Sequence, residues 1–321
     1  MSNNCYLEII RPGINSTFQD KGRFGLHHFG IPVSGAMDYR SYLISNALVK
    51  NDFKVGVLEF AYQGPLIKLH NGNANFCITG NVIFKIIKKN KDIIEGVCNK
   101  NYFIEDQDQI DILITKKSVF GYLSFEGGFV LEKSWNSIST NTKAKIGPND
   151  GNKLNSGDKI FLKKNNIENF KARYLKIDYK EDNEIRVLIG PNYDYFSKDS
   201  QDRFFKEDFL ITNLTDRMGM RLKGFGLENI KSSNIRSEGI VKGVIQVPPD
   251  GHPIIMLSDY GTIGGYPKIA NVASVDYDKL AQKIPNTKIK FKCIDLSEAE
   301  KLYKNYRDSI SKVINNIKLI K

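Results

Sequence analysis

Short apolar runs separated by turn-forming residues constrain the fold of this chain more than any other feature of its sequence. Each run is only a few residues long, which is typical of β-strands. Between the runs lie NGN (71–73), EGG (126–128), PNDG (148–151), NSGD (155–158) and PDG (249–251), whose residues tolerate positive φ in tight turns. The pattern predicts a mainly β protein of barrels or sandwiches, with strands at residues 5–10, 66–69, 75–78, 82–87, 109–114, 119–125, 159–162, 185–189, 243–247, 254–257 and 289–293.

Two segments have helical periodicity instead. Residues 36–49 place one apolar stripe along a helix, and a second stripe follows near the C-terminus at Leu302, Tyr306, Ile310, Val313 and Ile317. Ser297 with Glu300 three residues later has the capping-box spacing and predicts the start of this last helix. The length of 321 residues fits about two domains, and the polar interval 163–183 is the candidate linker. We therefore expect domains at residues 1–178 and 179–321, the C-terminal helix belonging to the second.

Composition excludes several classes of protein. With 41% hydrophobic and 26% charged residues the chain has enough apolar surface for a core, and no run approaches the about 20 apolar residues of a membrane-spanning helix. The net charge of +11 is scattered along the chain without a finger, an RNP-type motif or an arginine-rich arm, which disfavours nucleic acid as a partner. The N-terminus lacks the pattern of a secretory signal, so we expect a cytoplasmic protein. The four cysteines have neither zinc-site nor redox-pair spacing, and no metal site is predicted.

Two glycine-rich segments ahead of the first predicted helix form the first candidate site. They read TFQDKGRFG (17–25) and GIPVSGAMD (30–38), and they offer Gln19, Asp20, Arg23 and Ser34 as ligands for an anion. Closely spaced glycines let backbone N–H groups approach a carboxylate or phosphate, which an arginine binds bidentately. The alternative is a buried loop in which Gln19 and Asp20 satisfy the local backbone.

A second candidate site draws on three segments of the C-terminal half. TDRMGMRL (215–222) contributes Arg217 and Arg221, GVIQVPPDG (243–251) contributes Gln246, and DYGTIGGYPKI (259–269) contributes Tyr266 and Lys268. Adjacent glycines would let the last segment fold tightly against a ligand. We expect the 215–222 and 264–268 segments to converge on one pocket. The alternative is that Arg217 pairs internally with Asp216, Asp259 or Asp276 and stabilises a barrel corner.

In order along the chain, the motifs TxQDxGRxG, GxPxSGAMD, LVxN, LE, GP, TG, GG, DRMGxRL, GxIQVPxDGxPI and GGYPKIA resemble the biotin-dependent carboxyltransferase-like family, also called allophanate hydrolase subunit 2. The resemblance covers nearly the whole chain. It implies two tandem cyclophilin-like β-barrel domains. One stretch departs from the family pattern, because NSIST (136–140), GP (147–148) and NK (152–153) replace a GSxST loop followed by GG and GR. This leaves the role of the 136–153 loop open.

The resemblance also implies an activity. The first expectation is the C subunit of an ATP-dependent 5-oxoprolinase, which hydrolyses 5-oxo-L-proline to L-glutamate together with subunits A and B, and whose complex uses ATP with magnesium. We expect no activity from this chain alone. Two alternatives remain open: a binding module that antagonises a kinase-inhibitor protein, and a carboxyltransferase component that receives carboxybiotin from a separate carrier. The chain contains no AMKM biotin-acceptor tetrapeptide, no P-loop and no GxSxG elbow.

Activating a lactam needs cationic donors and an acid or base. We assign the catalytic roles to Arg217, Tyr266, Lys268, Gln246 and Asp38. Contacts with the substrate or another anion are assigned to Gln19, Asp20, Arg23, Ser34, Arg221, Asp259, Thr262, Gly264 and Gly265.

Overall fold

The computed structural model describes residues 4–163, 167–177 and 182–320, and most of its regular structure is β. The strands are β1 (Tyr6–Arg11), β2 (Asn15–Gln19), β3 (Val57–Ala61), β4 (Leu66–His70), β5 (Ala74–Thr79), β6 (Val82–Ile87), β7 (Ile93–Glu95), β8 (Lys100–Ile104), β9 (Gln109–Thr115), β10 (Phe120–Phe125), β11 (Lys159–Phe161), β12 (Arg173–Tyr174), β13 (Glu184–Ile189), β14 (Asp208–Ile211), β15 (Gly219–Lys223), β16 (Glu238–Gly239), β17 (Val244–Gln246), β18 (Ile254–Met256), β19 (Ile263–Gly264), β20 (Lys268–Val272), β21 (Lys288–Cys293) and β22 (Lys318–Leu319). Each of the predicted strands coincides with one of these within a few residues.

The α-helices are α1 (Tyr39–Leu48), α2 (Lys198–Lys206), α3 (Tyr277–Ala281) and α4 (Leu296–Asn315). Helices α1 and α4 confirm the two predicted from periodicity, whereas α2 and α3 were not predicted. The expected cap of α4 was wrong. The side chain of Asp295, rather than Ser297, accepts a hydrogen bond from the backbone N–H of Glu298 at 2.8 Å. An aspartate at this position satisfies a free N–H group and also interacts favourably with the positive end of the helix dipole.

The chain forms two compact units, and the first contains residues 1–23, 34–178 and 310–321. This unit contains a six-stranded sheet in the order β11-β1-β4-β9-β6-β7 and a seven-stranded sheet in the order β2-β3-β10-β5-β8-β12-β22. Inward-facing residues of both sheets form one apolar core, which includes the fully buried Phe60, Phe76, Phe84 and Phe125. Alternating side chains of antiparallel strands place this core on one face of each sheet.

Helix α1 packs against the seven-stranded sheet of the first unit. The hydroxyl of Thr79 in β5 donates to the carbonyl of Ser41 at 2.9 Å, and the hydroxyl of Ser124 in β10 donates to the carbonyl of Ser45 at 2.8 Å. These bonds tie the buried face of α1 to the sheet, and seven of the ten residues of the helix are buried. The helix is thereby held at the end of the glycine-rich segments that precede it.

The second unit contains residues 24–33 and 179–309 and is built on a closed barrel of seven strands. The strand order is β13-β20-β17-β18-β15-β14-β21, in which β13 and β21 are parallel. Helix α2 covers the barrel through Phe204, which stacks on Phe291 with ring centroids 4.6 Å apart. A separate two-stranded sheet joins β16 to β19.

The mainly β fold and the C-terminal helix are confirmed. The predicted boundary between residues 178 and 179 falls on residues 178–181, which lie outside the described residues. The compact units are not continuous segments, because residues 24–33 group with the second unit and 310–321 with the first. Val313 and Ile317, for example, pack on Ile44 and Leu48 of the first unit. Within the described ranges, no helix is long and apolar enough to cross a membrane.

Candidate functional site

Asp20, directly after β2 in the first unit, is buried and accepts four hydrogen bonds. One carboxylate oxygen accepts from the backbone N–H of Gly22 at 2.8 Å and from the hydroxyls of Ser137 and Ser139 at 2.7 and 2.6 Å. The other oxygen accepts from the N–H of Ile138 at 2.9 Å. A carboxylate offers about four lone-pair sites, and all of them are used here. Asp20 thus has the local role that its sequence left open as the alternative, and no acceptor remains for the expected contact with a substrate.

Gln19 and Thr140 present the unpaired polar atoms of this cluster. The Gln19 side chain is fully buried, and its amide nitrogen donates to the Thr17 hydroxyl at 3.0 Å and to the Thr140 carbonyl at 2.9 Å. Within the described part of the chain, the amide oxygen of Gln19 and the hydroxyl of Thr140 have no hydrogen-bond partner. Buried polar atoms are almost always paired, so these two are available to a bound molecule. The 136–153 loop therefore contributes to the first candidate site.

Arg23 and Ser34 fasten the glycine-rich segments to the same loop. The buried guanidinium of Arg23 donates to the carbonyl of Ser134 at 3.4 Å and to that of Ser139. The hydroxyl of Ser34 accepts a hydrogen bond from the side chain of Asn141 at 3.3 Å. Backbone carbonyls are thus the observed partners of Arg23, in place of the carboxylate or phosphate expected from the sequence.

Asp38 caps helix α1. Its two carboxylate oxygens accept from the backbone N–H and the hydroxyl of Ser41 at 2.9 and 2.7 Å, and its own N–H donates to the Tyr122 hydroxyl at 2.7 Å. Glu59 lies beside them, fully buried in β3, and accepts from the N–H of Met37 at 2.8 Å. Burial, reinforced by the carboxylates of Glu59 and Asp38, raises the pKa of Tyr122 well above its ordinary value. Tyr122 is therefore protonated at neutral pH.

Glu59 was missed by the sequence reasoning. It stands in an apolar strand, VLEFA at Val57–Ala61, whose five residues are all buried. A carboxylate in such a run signals a buried polar partner, because the charge is costly to bury alone. That signal was present in the sequence.

In the second unit, Lys268 lies at the start of β20 and its side chain is only 5% exposed. Its ammonium group donates to the carboxylate of Glu238 at 2.7 Å, and its backbone N–H donates to the side chain of Asn192 at 3.0 Å. Gln246, at the end of β17, is its neighbour across the strands. Two of the predicted residues, Lys268 and Gln246, are thus brought together by register.

Gly264 and Tyr266 adjoin the Gln246 side chain. The amide nitrogen of Gln246 donates to the Tyr266 carbonyl at 3.4 Å, which is a long bond. A Cβ atom at Gly264 would lie 2.4 Å from that nitrogen, so the glycine permits the close approach. The expectation that Tyr266 turns inward was wrong, because this tyrosine is 37% exposed and contributes its carbonyl.

Thr262 and Gly265 hold the segment that carries Glu238. The N–H of Ile240 donates to the Thr262 carbonyl at 3.2 Å, and the N–H of Ile235 donates to the Gly265 carbonyl at 2.9 Å. A Cβ atom at Gly265 would lie 3.3 Å from the Ile235 carbonyl oxygen. Both predicted residues therefore act here through their backbone.

Arg217 forms a bidentate ion pair with Asp259, and both residues are buried. Its Nε and Nη2 atoms lie 2.8 and 3.0 Å from the two carboxylate oxygens. The N–H of Asp259 also donates to the Arg217 carbonyl at 2.8 Å. Arg221, in contrast, is exposed in β15. This is the internal pairing that the sequence left open as an alternative.

The expected convergence of the Arg217 and Lys268 segments on one pocket was wrong. In β15 the first residue, Gly219, pairs with Met256 at the end of β18, next to the arginine–aspartate pair. Gln246 pairs with Ile254 at the start of β18 and with Lys268. The antiparallel register therefore places the two clusters at opposite ends of β18.

A third contact of the second unit joins His27 to Tyr260. The Tyr260 hydroxyl lies 2.9 Å from Nε2 of His27, and the two rings meet edge to face. Burial raises the pKa of Tyr260. No local pattern indicates this pair, because the two residues are 233 positions apart.

The four cysteines are free, as their spacing predicted. Burial raises the pKa of both Cys5 and Cys98 to about 11. Among the residues that the structure describes, no group of three or more histidine, cysteine, aspartate or glutamate side chains is arranged to hold a metal ion.

Comparison with known proteins adds relatives to this geometry. The family described as carboxyltransferase domain, subdomain A and B matches residues 29–293. A protein from Haemophilus influenzae, named as the C subunit of 5-oxoprolinase, is 33% identical over 96% of this chain and 99% of its own length. A protein of the same name from Escherichia coli is 32% identical over 92% of this chain and 93% of its own length.

A solved structure is also similar. The crystal structure of the Kluyveromyces lactis urea carboxylase superposes with a TM-score of 0.87 at 25% identity. The match covers 97% of this chain but only 29% of that longer protein.

Proposed function

The chain belongs to the carboxyltransferase family of subdomains A and B, and from this membership we propose that it is the C subunit of an ATP-dependent 5-oxoprolinase. The observation that carries the proposal is length. Similarity to the Haemophilus influenzae 5-oxoprolinase protein extends over 99% of that protein, whereas the urea carboxylase contains this region within a much longer chain. A separate chain of this size suits a subunit that works with partners.

In the proposed reaction, one water opens the lactam of 5-oxo-L-proline and a second accounts for ATP hydrolysis to ADP and phosphate. Transfer of the terminal phosphoryl group to the lactam oxygen would activate the ring carbon. Water then attacks that carbon, the ring C–N bond breaks and phosphate leaves. Each step places negative charge on oxygen, so the site needs preorganised donors.

We assign the donors in this chain to Lys268 and Gln246, which are adjacent across β17 and β20. Lysine supplies a point charge with three N–H donors, and the amide of Gln246 supplies two more. Arg217 is assigned a stabilising role instead, because Asp259 already occupies its fork. The unpaired amide oxygen of Gln19 is an acceptor suited to an amide N–H group.

The other components of the reaction are assigned to the complex. We propose that subunits A and B are the partners, and that ATP with its magnesium is a substrate of the assembled enzyme. This chain on its own is proposed to be inactive.

Reconstitution tests the proposal. The purified chain is mixed with subunits A and B, 5-oxo-L-proline, ATP and magnesium, and glutamate release is measured. We expect no release from the chain alone and none from A with B, but turnover from the complete mixture. Full activity of A and B without this chain would refute the assignment and leave a regulatory binding role.

The urea carboxylase likeness favours a second candidate, carboxyl transfer from carboxybiotin to an amide or urea nitrogen. The biotin would be attached to a separate carrier protein, since this sequence has no AMKM acceptor site. Avidin separates the two candidates. It sequesters biotin and would abolish carboxyl transfer, whereas the 5-oxoprolinase reaction would continue.

A further inference from the structure

The ion pair between Lys268 and Glu238 is unequal in burial. The side chain of Lys268 is 5% exposed, whereas that of Glu238 is 54% exposed, and the two charged atoms lie 2.7 Å apart. A buried ammonium group needs a partner, because leaving it uncompensated is strongly unfavourable. An exposed carboxylate, in contrast, regains its hydration as soon as it moves away. The glutamate is therefore the partner that can leave at little cost, provided that another anion takes its place.

Glu238 belongs to a surface segment, residues 228–240, here called the strap. Nearly all of its residues are exposed or half-buried, and only Ile240 is buried. It is fastened by the two-residue pairing of β16 with β19 and by the bond from Ile235 to Gly265. Segments with few buried apolar contacts open at low free energy. The strap can thus withdraw Glu238 without disturbing the barrel.

The surroundings of Lys268 contain further donors for an anion. Glu238 occupies only one of the lysine's three possible N–H bonds. The amide nitrogen of Gln246, next to Lys268 in the register, makes a long bond of 3.4 Å to a carbonyl and has a second N–H to offer. A carboxylate that replaced Glu238 would meet a charged donor and a neutral donor side by side.

We propose that Lys268 and Gln246 form a binding site for a small carboxylate, and that the side chain of Glu238 is its internal occupant in the free protein. A ligand carboxylate exchanges with Glu238, and the strap moves away as it binds. The inference rests on the proposed function in taking the Lys268 cluster as the ligand-binding part of this unit. It adds the ligand class and a competing residue, Glu238, which the sequence analysis did not select.

The size of the competition follows from population arithmetic. The apparent dissociation constant equals the intrinsic constant divided by the fraction of molecules in which the site is vacant. If Glu238 occupies the site about nine-tenths of the time, removing its charge tightens carboxylate binding about tenfold.

The experiment compares three molecules on the full chain by NMR titration. Acetate carries only the carboxylate, 5-oxo-L-proline carries the carboxylate and the lactam, and 2-pyrrolidinone carries only the lactam. The variant Glu238→Gln removes the internal anion. Glu228→Gln is the matched control, because it makes the same change of charge at another exposed position of the strap.

We expect Glu238→Gln to bind acetate and 5-oxo-L-proline about tenfold more tightly than the wild type, with 2-pyrrolidinone unchanged. Adding Lys268→Met to Glu238→Gln should remove the gain. Equal acetate affinity in Glu238→Gln and Glu228→Gln, or weaker binding in the former, would overturn the inference. If Glu238→Gln does not fold, Glu238→Asp shortens the side chain by one methylene and should also tighten binding; an unchanged affinity would count against the site.

These outcomes are separable from those of the proposed function. Tighter acetate binding in Glu238→Gln supports the carboxylate site even if reconstitution gives no glutamate. Turnover of the reconstituted enzyme with unaltered acetate binding would instead sustain the proposed function and refute the competing role of Glu238.

Discussion

The guanidinium of Arg217 and the carboxylate of Asp259 meet in a buried bidentate pair, with N–O distances of 2.8 and 3.0 Å. Asp259 follows β18 and Arg217 precedes β15, so the pair joins the ends of two neighbouring barrel strands. Its position on the barrel is at the far end of β18 from Lys268. The contact therefore favours a stabilising role for an arginine whose sequence context also suited ligand binding.

The first prediction concerns this pair. Asp259→Asn should lower the free energy of unfolding by about 3 kcal/mol, because it leaves a buried guanidinium without its counter-charge. Urea denaturation of the single variants Asp259→Asn and Arg217→Met and of the double variant gives the coupling. We expect the double variant to lose at least about 1 kcal/mol less than the sum of the single losses, since both singles break one interaction. Strictly additive losses would show that the pair contributes nothing.

A second prediction uses Arg217→Lys, which keeps the charge but loses the planar fork. The variant should melt earlier than the wild type, while the reconstituted complex keeps its activity per folded molecule. Thermal unfolding and glutamate release provide the two measurements. A normal melting temperature together with a loss of activity of about tenfold, equivalent to about 1.4 kcal/mol, would instead place Arg217 at the reacting groups.

The third prediction concerns Asp20. Asp20→Asn puts an NH2 group against donors that now face a carboxylate oxygen, and an unsatisfied buried donor costs about 1 to 3 kcal/mol. Unfolding in urea should show a loss of that size. Asp150→Asn is the control, because Asp150 is exposed and asparagine tolerates its positive φ. Equal stability of the two variants would contradict the bonding described for Asp20.

Two glycines near Lys268 yield a fourth prediction. A Cβ atom at Gly190 would lie 2.3 Å from the backbone carbonyl oxygen of Lys268, whereas one at Gly264 would meet the flexible end of the Gln246 side chain. Gly190→Ala should therefore lower the melting temperature. Gly264→Ala should melt almost normally but displace the Gln246 amide and weaken carboxylate binding. Gly239→Ala, which meets no atom within 4 Å, is the control for both measurements.

The last prediction is a pH dependence of cysteine alkylation. A raised thiol pKa means that the reactive thiolate forms only as the pH approaches the raised value. Because the pKa of Cys5 and Cys98 is about 11, iodoacetamide at about neutral pH should leave both unmodified in the native protein. Cys293 is exposed and should react first, as peptide mass spectrometry would show. Rapid modification of Cys5 at neutral pH would contradict its burial.

Local patterning determined much of this protein from the sequence alone. Alternating apolar residues and turn residues located β6 at its observed bounds, and the apolar stripe of residues 36–49 located α1. These features depend on neighbours in the chain, so they are legible without a fold. Helix α2 escaped because its sequence KDSQDRFFK is mostly polar and its position depends on Phe204 stacking on the barrel.

The candidate sites were only partly legible. The motifs correctly selected Lys268 and Gln246 as neighbours, but their chemistry could not show that Asp20 faces four donors or that Asp259 fills the fork of Arg217. Those roles depend on partners far along the chain, since Ser137 lies 117 positions from Asp20 and Asp259 lies 42 positions from Arg217. Residue types and spacing along the chain thus determined the strands, the main helices and the polar groups available. Only strand register and loop packing decided which of these charges meet, because an ion pair depends on distance in space and on burial.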